Sequence, residues 1–358
     1  MKNYPMVKLG DVCEKGSSSI AQKDIELNEG EYPIYGASGK IKNVDFFKQD
    51  KEYIAIVKDG AGIGRTMLLP AYSSVIGTMQ YILPKENVLA KYLYHAITAM
   101  NLAKYFSGAT IPHIYFKDYK NEKLPLPNKP TQAEIVKLFD KIIALISKRK
   151  EQLSKLDELA KSRFIEMFGD VKHFKKIEDF VDGNILSAKK NYKENSTINY
   201  IDISSIDNKN FSITNITKYN FKDAPSRAQQ CVIDGDILIS TVRPNLKNIA
   251  IIKSHESNLV ASSGFCVLRA INCPKEFLFG IVSSDDFTKK MTSLTTGANY
   301  PAIKDSDVLQ YPIPDIPLKE MKSFANFMQQ LDKSKFRIKK SLEKLEMTYK
   351  ALLQEYFG

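Results

Sequence analysis

A run rich in base-edge and phosphate donors leaves an apolar segment and enters a loop: Ser240-Thr241-Val242-Arg243-Pro244-Asn245-Leu246-Lys247. An arginine can hold guanine O6 and N7 through two parallel bonds. Asparagine does the same for adenine, whereas lysine and threonine suit phosphates. Ser240, Thr241, Arg243, Asn245 and Lys247 are therefore candidates for nucleic-acid contact. In the first half of the chain, Lys58, Arg65 and Thr66 flank Gly60-Ala61-Gly62-Ile63-Gly64, where a side-chain-free backbone can approach a partner closely. Tyr35, Ser38, Lys40 and Lys42 add polar and basic loop positions there, as Lys189, Lys190 and Tyr192 do in the second half. Each alone is an ordinary solvated side chain; the set carries the reading.

Other chemistry is excluded more firmly. A phosphate-cradling glycine loop must open a helix, so that its amides and dipole face the anion. After Gly64 comes Arg65 and then Thr66-Met67-Leu68-Leu69-Pro70, which is strand-like, so the glycines make a β-turn. Gly39-Lys40 has no following Ser or Thr. The Asn/Asp-Pro-Pro-Tyr/Phe tetrapeptide of adenine methyltransferases is missing, as are His-Glu-x-x-His and Gly-x-Ser-x-Gly. Asp315, with Lys319 and Glu320, has no second acid at nuclease spacing. No catalytic residue is expected. Cys13, Cys231, Cys266 and Cys273 show no Cys-x-x-Cys spacing, and with four histidines in all a metal site is not expected. The thiols read as buried in a reducing compartment.

Across 358 residues, 52 Lys and Arg outweigh 41 Asp and Glu, giving +11, and 43% of residues are hydrophobic. The sequence pI is near 9.1. Such a chain folds as a globular protein of two to three domains and favours a polyanionic partner. No apolar run approaches the ~20 residues of a membrane span, and Met1-Lys2-Asn3-Tyr4-Pro5 lacks a signal-peptide core. A cytoplasmic location is expected, with no membrane contact.

The elements that must position these residues occur twice. Gly-Ala-Thr-Ile-Pro-His-Ile at 108–114 returns as Gly-Ala-Asn-Tyr-Pro-Ala-Ile at 297–303, an offset of 189 residues that still holds at Phe168-Gly169 and Phe357-Gly358. Tyr53 to Val57 and Gln80 to Leu83 read as strands, matched later by Asp236 to Ser240 and Phe265 to Leu268. Lys91 to Tyr105 reads as one amphipathic helix. Proline breaks at 124–127 and 311–317 precede two long helical patterns, the first capped by Thr131 and stopped by Gly169. Ile135, Leu138, Phe139, Ile142, Leu145, Leu153, Leu156 and Phe164 form the first apolar stripe. Phe327, Met328, Leu331, Leu342, Leu345 and Leu353 form the second. Each helix would be about 50 Å long, and two such helices most simply pack on each other as a coiled coil. The repeated Gly-Ala-x-x-Pro-x-Ile leaves two readings open: a loop buttressing the binding face, with Thr110, His113, Asn299 and Tyr300 as variable contacts, or a loop docking the domain on its helix.

In this order the motifs resemble the specificity subunits of Type I restriction–modification systems. The residues that carry the resemblance are Gly235 to Pro244, the Gly-Ala-x-x-Pro-x-Ile pair, Leu124 to Pro127 and Ile313 to Pro317. Val7 to Val12 and Phe174 to Phe180 resemble the starts of the two recognition domains, and Phe168-Gly169 and Phe357-Gly358 the helix ends. The resemblance implies an α+β fold: two similar target-recognition domains, residues 1–127 and 171–317, each followed by a long helix, 128–170 and 318–358. The helices pair antiparallel. It further implies a non-catalytic subunit that reads an asymmetric bipartite site on double-stranded DNA and docks two methyltransferase subunits. The helix pair acts as a ruler whose length corresponds to about 15 base pairs. S-adenosylmethionine would belong to the methyltransferase subunits, and ATP and Mg²⁺ to restriction subunits, with none bound by this chain. Two other classes remain: a coiled-coil adaptor that binds protein without reading DNA sequence, and a self-contained DNA-modifying enzyme.

Overall fold

The structure is a computed structural model that describes residues 4–60, 62–107, 112–297 and 300–358. The chain forms two compact units, one made of residues 1–151 and 339–358, the other of residues 152–338. This division regroups the segments read from the sequence. Each unit holds one globular segment, the opening stretch of the helix that follows it, and the closing stretch of the other helix.

In the first unit, the strand Tyr53–Val57 is wholly buried, as its β-branched and aromatic content requires. It lies between Met79–Pro84 and Thr66–Leu69, with Cys13–Ser17 completing the sheet. A second sheet runs Gly39–Val44, Tyr32–Gly36, Ser74–Val75. Ile237–Ser240 holds the corresponding place in the second unit, between Phe265–Leu268 and Ile249–Ile251. A four-stranded sheet of Thr217–Asn220, Thr197–Ile201, Leu259–Ser262 and Ala228–Cys231 stands beside it.

A short antiparallel pair closes each globular segment. Met6–Lys8 pairs with Lys123–Pro125, and Phe174–Lys176 with Pro312–Pro314. In both, an aspartate three residues on takes the amide of the strand's last lysine, Lys8 to Asp11 at 3.2 Å and Lys176 to Asp179 at 2.9 Å. These opening pairs lie 168 residues apart and the closing pairs 189, so the second segment carries 21 more residues than the first.

The long helices run Lys129–Phe168 and Leu318–Phe357. Asn128 rather than Thr131 caps the first: its Oδ1 accepts from the Thr131 amide at 3.0 Å. Pro130 then sits within the opening turn, where its missing N–H costs nothing. Residues 91–105 do not form one helix. The helix Ala90–Ala99 stops because Asn101 adopts a left-handed φ of 48°, and a short 3-10 turn, Leu102–Tyr105, follows.

Helix segments pair antiparallel within each unit. In the first, Phe139 meets Phe357 and Tyr349, while Lys150 pairs with Glu346 at 3.2 Å. In the second, Phe164 and Phe168 meet Phe324, while Lys335 pairs with Asp157 at 2.5 Å. Of the expected stripe, Ile135, Phe139, Ile142, Leu331 and Leu353 are buried. Leu138, Leu153, Leu156, Phe164, Phe327, Met328, Leu342 and Leu345 are half-buried, and Leu145 is exposed. The helix ends also enter the globular cores: Phe357 packs on Tyr92, and Phe168 on Phe277. Gln132, buried in the first turn of its helix, ties that helix to its domain by accepting from the Leu89 amide and donating to the Asn87 and Pro127 carbonyls.

Two buried polar groups set measurable stability terms. His95 stacks on Phe139 and lies 3.3 Å from the Tyr349 hydroxyl. Burial, with a smaller opposing pull from Asp140, lowers its pKa from 6.5 to about 4. The unfolded chain therefore binds the extra proton first, and this stability is present above pH 6.5 and lost as pH falls towards 4. The span corresponds to about 3 kcal/mol. Urea titrations at pH 7 and pH 4.5 should show His95→Gln losing less stability than the unsubstituted protein over that interval; equal losses would contradict the assignment. In the second unit, Asp236 is 1% exposed and gripped by Arg269, Nε to Oδ1 at 2.9 Å and Nη2 to Oδ2 at 2.8 Å. Its Oδ2 also accepts from the Ile233 amide, closing a turn in which Gly235 takes a φ of 92°. Asp236→Ala leaves both donors without an acceptor and should lower unfolding free energy by about 3–5 kcal/mol. A loss under about 1 kcal/mol would refute a structural role for the pair.

Candidate nucleic-acid interface

The loop that leaves each central strand is fastened to the repeated Gly-Ala-x-x-Pro-x-Ile segment by the same backbone bonds in both units. In the first, Ser107 and His113 exchange amide-to-carbonyl bonds at 2.9 and 2.8 Å. Gly60 donates to the Pro112 carbonyl at 3.1 Å, and Ile114 to the Lys58 carbonyl at 3.0 Å. In the second, Thr296 and Ala302 exchange bonds at 2.9 and 3.0 Å. Arg243 donates to the Pro301 carbonyl at 2.8 Å, and Ile303 to the Thr241 carbonyl at 2.9 Å. The bonds match one for one, so Lys58, Asp59 and Gly60 occupy the positions of Thr241, Val242 and Arg243. The motif thus buttresses the strand-exit loop; Thr110 and Asn299 lie outside the described residues.

In the second unit the exit loop is a tight 3-10 turn, Pro244–Leu246, flanked by Arg243 and Lys247 at φ of 51° and 54°. Left-handed backbone costs a side-chain-bearing residue of order 1 kcal/mol and gathers at functional loops. The turn is held by Arg243–Leu246 and Pro244–Lys247 backbone bonds and by Asn208, whose Nδ2 donates to the Leu246 carbonyl at 2.8 Å. Arg243 and Asn245 are exposed. The guanidinium lies 5.5 Å from the ring of Tyr300, which is 73% exposed, so the structure brings these two candidates together. Lys247 is instead engaged by Asp285 at 2.5 Å, and Asp285 also binds Lys161 of the first long helix at 3.0 Å. The two ammonium groups hold the Asp285 carboxyl down to about 2.

Ser240 and Thr241 are corrected by the structure. Both are buried, and their hydroxyls donate to the Val242 and Gly264 carbonyls at 2.8 and 3.0 Å, which leaves them holding the loop rather than facing a partner. Lys189 and Lys190 are exposed on the short helix Ala188–Asn191, where Tyr192 follows half-buried. That helix packs on the edge strand Ala228–Cys231, so these three stand on the other sheet from Arg243.

In the first unit, the glycine turn links Tyr53–Val57 to Thr66–Leu69, as its strand-like continuation implied. Gly64, at φ 79°, has no room for a side chain: a Cβ there would lie 2.5 Å from the Ala103 amide nitrogen. Arg65 donates to the Ala37 carbonyl at 3.0 Å, drawing the Tyr35–Lys40 hairpin tip to this turn. Ser38 and Lys40 are exposed there, Tyr35 is half-buried, and Lys42 donates to the Glu26 carbonyl at 3.0 Å. Thr66 shares a hydrogen bond with Thr98 at 2.8 Å. His113 lies 2.5 Å from Asp59, which Lys58 approaches at 3.7 Å. Asp59 and Asp285, the acids that orient these bases, carry no sequence signal that would have singled them out. Among the described residues no cluster of His, Cys, Asp or Glu could hold a metal ion, and no helix is long and apolar enough to cross a membrane.

Comparisons with known proteins find the same duplication. The Type I restriction modification DNA specificity domain matches residues 1–156 and again residues 170–347. The specificity subunit of the Type I restriction enzyme MjaVIII from Methanocaldococcus jannaschii is 26% identical, over 98% of this chain and 91% of its own length. The crystal structure of a Type I system S subunit from M. genitalium superimposes with a TM-score of 0.62 over 99% of this chain and 96% of that one, at 15% identity. A structure from work on complex assembly and conformational transition of the Type I system gives 0.59 over 100% and 98%, also at 15% identity. Two matched domains, each coinciding with one buttressed exit loop, place this chain in the family of Type I restriction–modification DNA specificity subunits.

Proposed function

We propose that each unit reads one half of an asymmetric, bipartite DNA site, and that the chain supplies this address to two methyltransferase subunits without performing chemistry itself. The observation that carries the reading is the pairing of an identical backbone frame with unlike loops. The frame bonds repeat one for one, yet they present Lys58, Asp59 and a glycine turn in one unit and Arg243, Asn245 and Tyr300 in the other. Unlike side chains on one frame favour unlike half-sites. S-adenosylmethionine for adenine methylation, and ATP and Mg²⁺ for cleavage, would then enter with methyltransferase and restriction subunits, in the cytoplasm.

The helices support the docking part. After pairing, Leu159, Ile165 and Phe336 of the second unit remain 48%, 67% and 68% exposed, and Met347 of the first 71%. Exposed apolar side chains on a paired helix favour cover by another protein. An adaptor that ignores DNA sequence would use the same helices, so sequence selection separates the two.

The test is selection of bound duplexes from a random library by the chain assembled with its methyltransferase subunits, repeated with Arg243→Ala/Asn245→Ala. A bidentate side-chain contact discriminates bases by about 1–3 kcal/mol. The substituted protein should lose roughly ten-fold or more in preference within one block of bases and keep the other block intact. Equal loss in both blocks, or no enriched block from the unsubstituted protein, would count against the proposal.

A further inference from the structure

A cavity of about 460 Å³ opens beside the buttressed loop of the first unit, and lysines dominate its polar lining: Lys15, Lys58, Lys117 and Lys120. Ile114 and Phe116 contribute apolar wall, and buried Gln80 is held there by the Tyr119 hydroxyl. Among the described residues, Lys15, Lys117 and Lys120 form no ion pair within 4.0 Å, whereas Lys58 lies 3.7 Å from Asp59. Lys117 lies over the Tyr115 ring at 5.2 Å, which occupies that aromatic face.

The duplicated frame shows that this charge belongs to one unit only. Lys58 corresponds to Thr241 through the matching bonds from Ile114 and Ile303. The 189-residue offset that relates those two isoleucines sets Lys117 against Ser306 and Lys120 against Leu309. Lys15 corresponds to Gly183, because the Cys13–Pro84 pair that precedes it matches the Val181–Ala270 bridge. Four lysines of one unit are thus Gly183, Thr241, Ser306 and Leu309 in the other; Asp305 stands where the first unit has Phe116 and Lys304 where it has Tyr115, leaving one lysine against four at these positions. A surface needed to dock the same partner on both units would not be so unequal.

We propose that this cavity grips successive backbone phosphates of the DNA at the half-site read by the first unit, and that the second unit has no equivalent grip. The chemistry favours phosphate over base edges. Lysine ammonium groups are point charges that hold phosphate without fixed geometry, whereas base readout favours the planar forks of arginine, asparagine and glutamine. No arginine or asparagine lines the cavity, and its one glutamine, Gln80, is buried and donates to the Tyr119 hydroxyl. The proposal rests on the DNA-reading assignment above and adds a one-sided electrostatic anchor, with Lys15, Lys117 and Lys120 as binding residues that motif reasoning did not reach.

Two measurements on the full chain with a random-sequence 40-base-pair duplex test it. In the first, lysine acetylation is followed by mass spectrometry with and without duplex. Lys15, Lys117 and Lys120 should be protected, whereas Lys172, Lys319 and Lys322, exposed in the second unit, should react unchanged. In the second, the slope of log affinity against log salt is compared between Lys15→Gln/Lys117→Gln/Lys120→Gln and the charge-matched control Lys172→Gln/Lys319→Gln/Lys322→Gln. Each phosphate contact contributes about 0.9 to that slope, so the cavity variant should lose about 2–3 and the control less than one. Equal slopes, or lysines that acetylate equally with and without bound duplex, would overturn the anchor while leaving DNA reading intact. Failure of the unsubstituted chain to bind duplex at all would overturn both.

Discussion

The structure depends on burying each helix end in a core that another part of the chain builds. Phe357 closes the first unit against Tyr92 and Phe139, and Phe168 closes the second against Phe277 and Phe324. Neither helix end could bury such an aromatic within its own helix, and a buried phenylalanine is worth about 2–3 kcal/mol of transfer free energy. Each unit is therefore complete only when it contains the end of one helix and the start of the other. The 189-residue echo is the sequence record of that requirement, since it is strongest in the stretch from the buttressing loop to the helix end.

The same arrangement explains why the loops are free to differ. The exit loop is fastened through amides and carbonyls of Lys58, Gly60, Thr241 and Arg243, and every residue but proline supplies both groups. Those bonds draw on no side chain at these positions; of the four residues only Thr241 adds a side-chain bond of this kind, to the Gly264 carbonyl. The four are lysine and glycine in one unit and threonine and arginine in the other, with the same backbone bonds in both. Side chains that do carry structural bonds sit one step inward: Ser240 and Thr241 on neighbouring carbonyls, and Asp236 on Arg269. In the proposed reading, the boundary between frame and reader falls between Thr241 and Arg243.

Much of the frame was legible because its signals are periodic or compositional. Runs such as Tyr53 to Val57 and Phe265 to Leu268 can bury only as central strands, and helix stripes repeating every three or four residues need a facing surface. What escaped was decided by single torsions and by tertiary partners. Asn101 ends a helix that its apolar spacing would continue, because its left-handed φ turns the chain. Asn128 takes the capping role that Thr131 could also fill, one turn earlier. Ser240 and Thr241 are polar residues at the mouth of a strand; the Ser240 hydroxyl turns back onto the Val242 carbonyl, and that of Thr241 finds its acceptor in a turn more than twenty residues away, at Gly264. Lys15, Lys117 and Lys120 form one cavity from two distant segments, a juxtaposition that only the fold makes.

Two unlike readers on one repeated frame is the central claim, and the DNA modification pattern in the cell reports on it directly. Mapping N6-methyladenine across the genome of cells with and without this gene should reveal a gene-dependent motif of two different base blocks separated by a fixed gap of unspecified bases. A gene-dependent motif that is palindromic or contiguous, or a methylation map unchanged by loss of the gene, would contradict it.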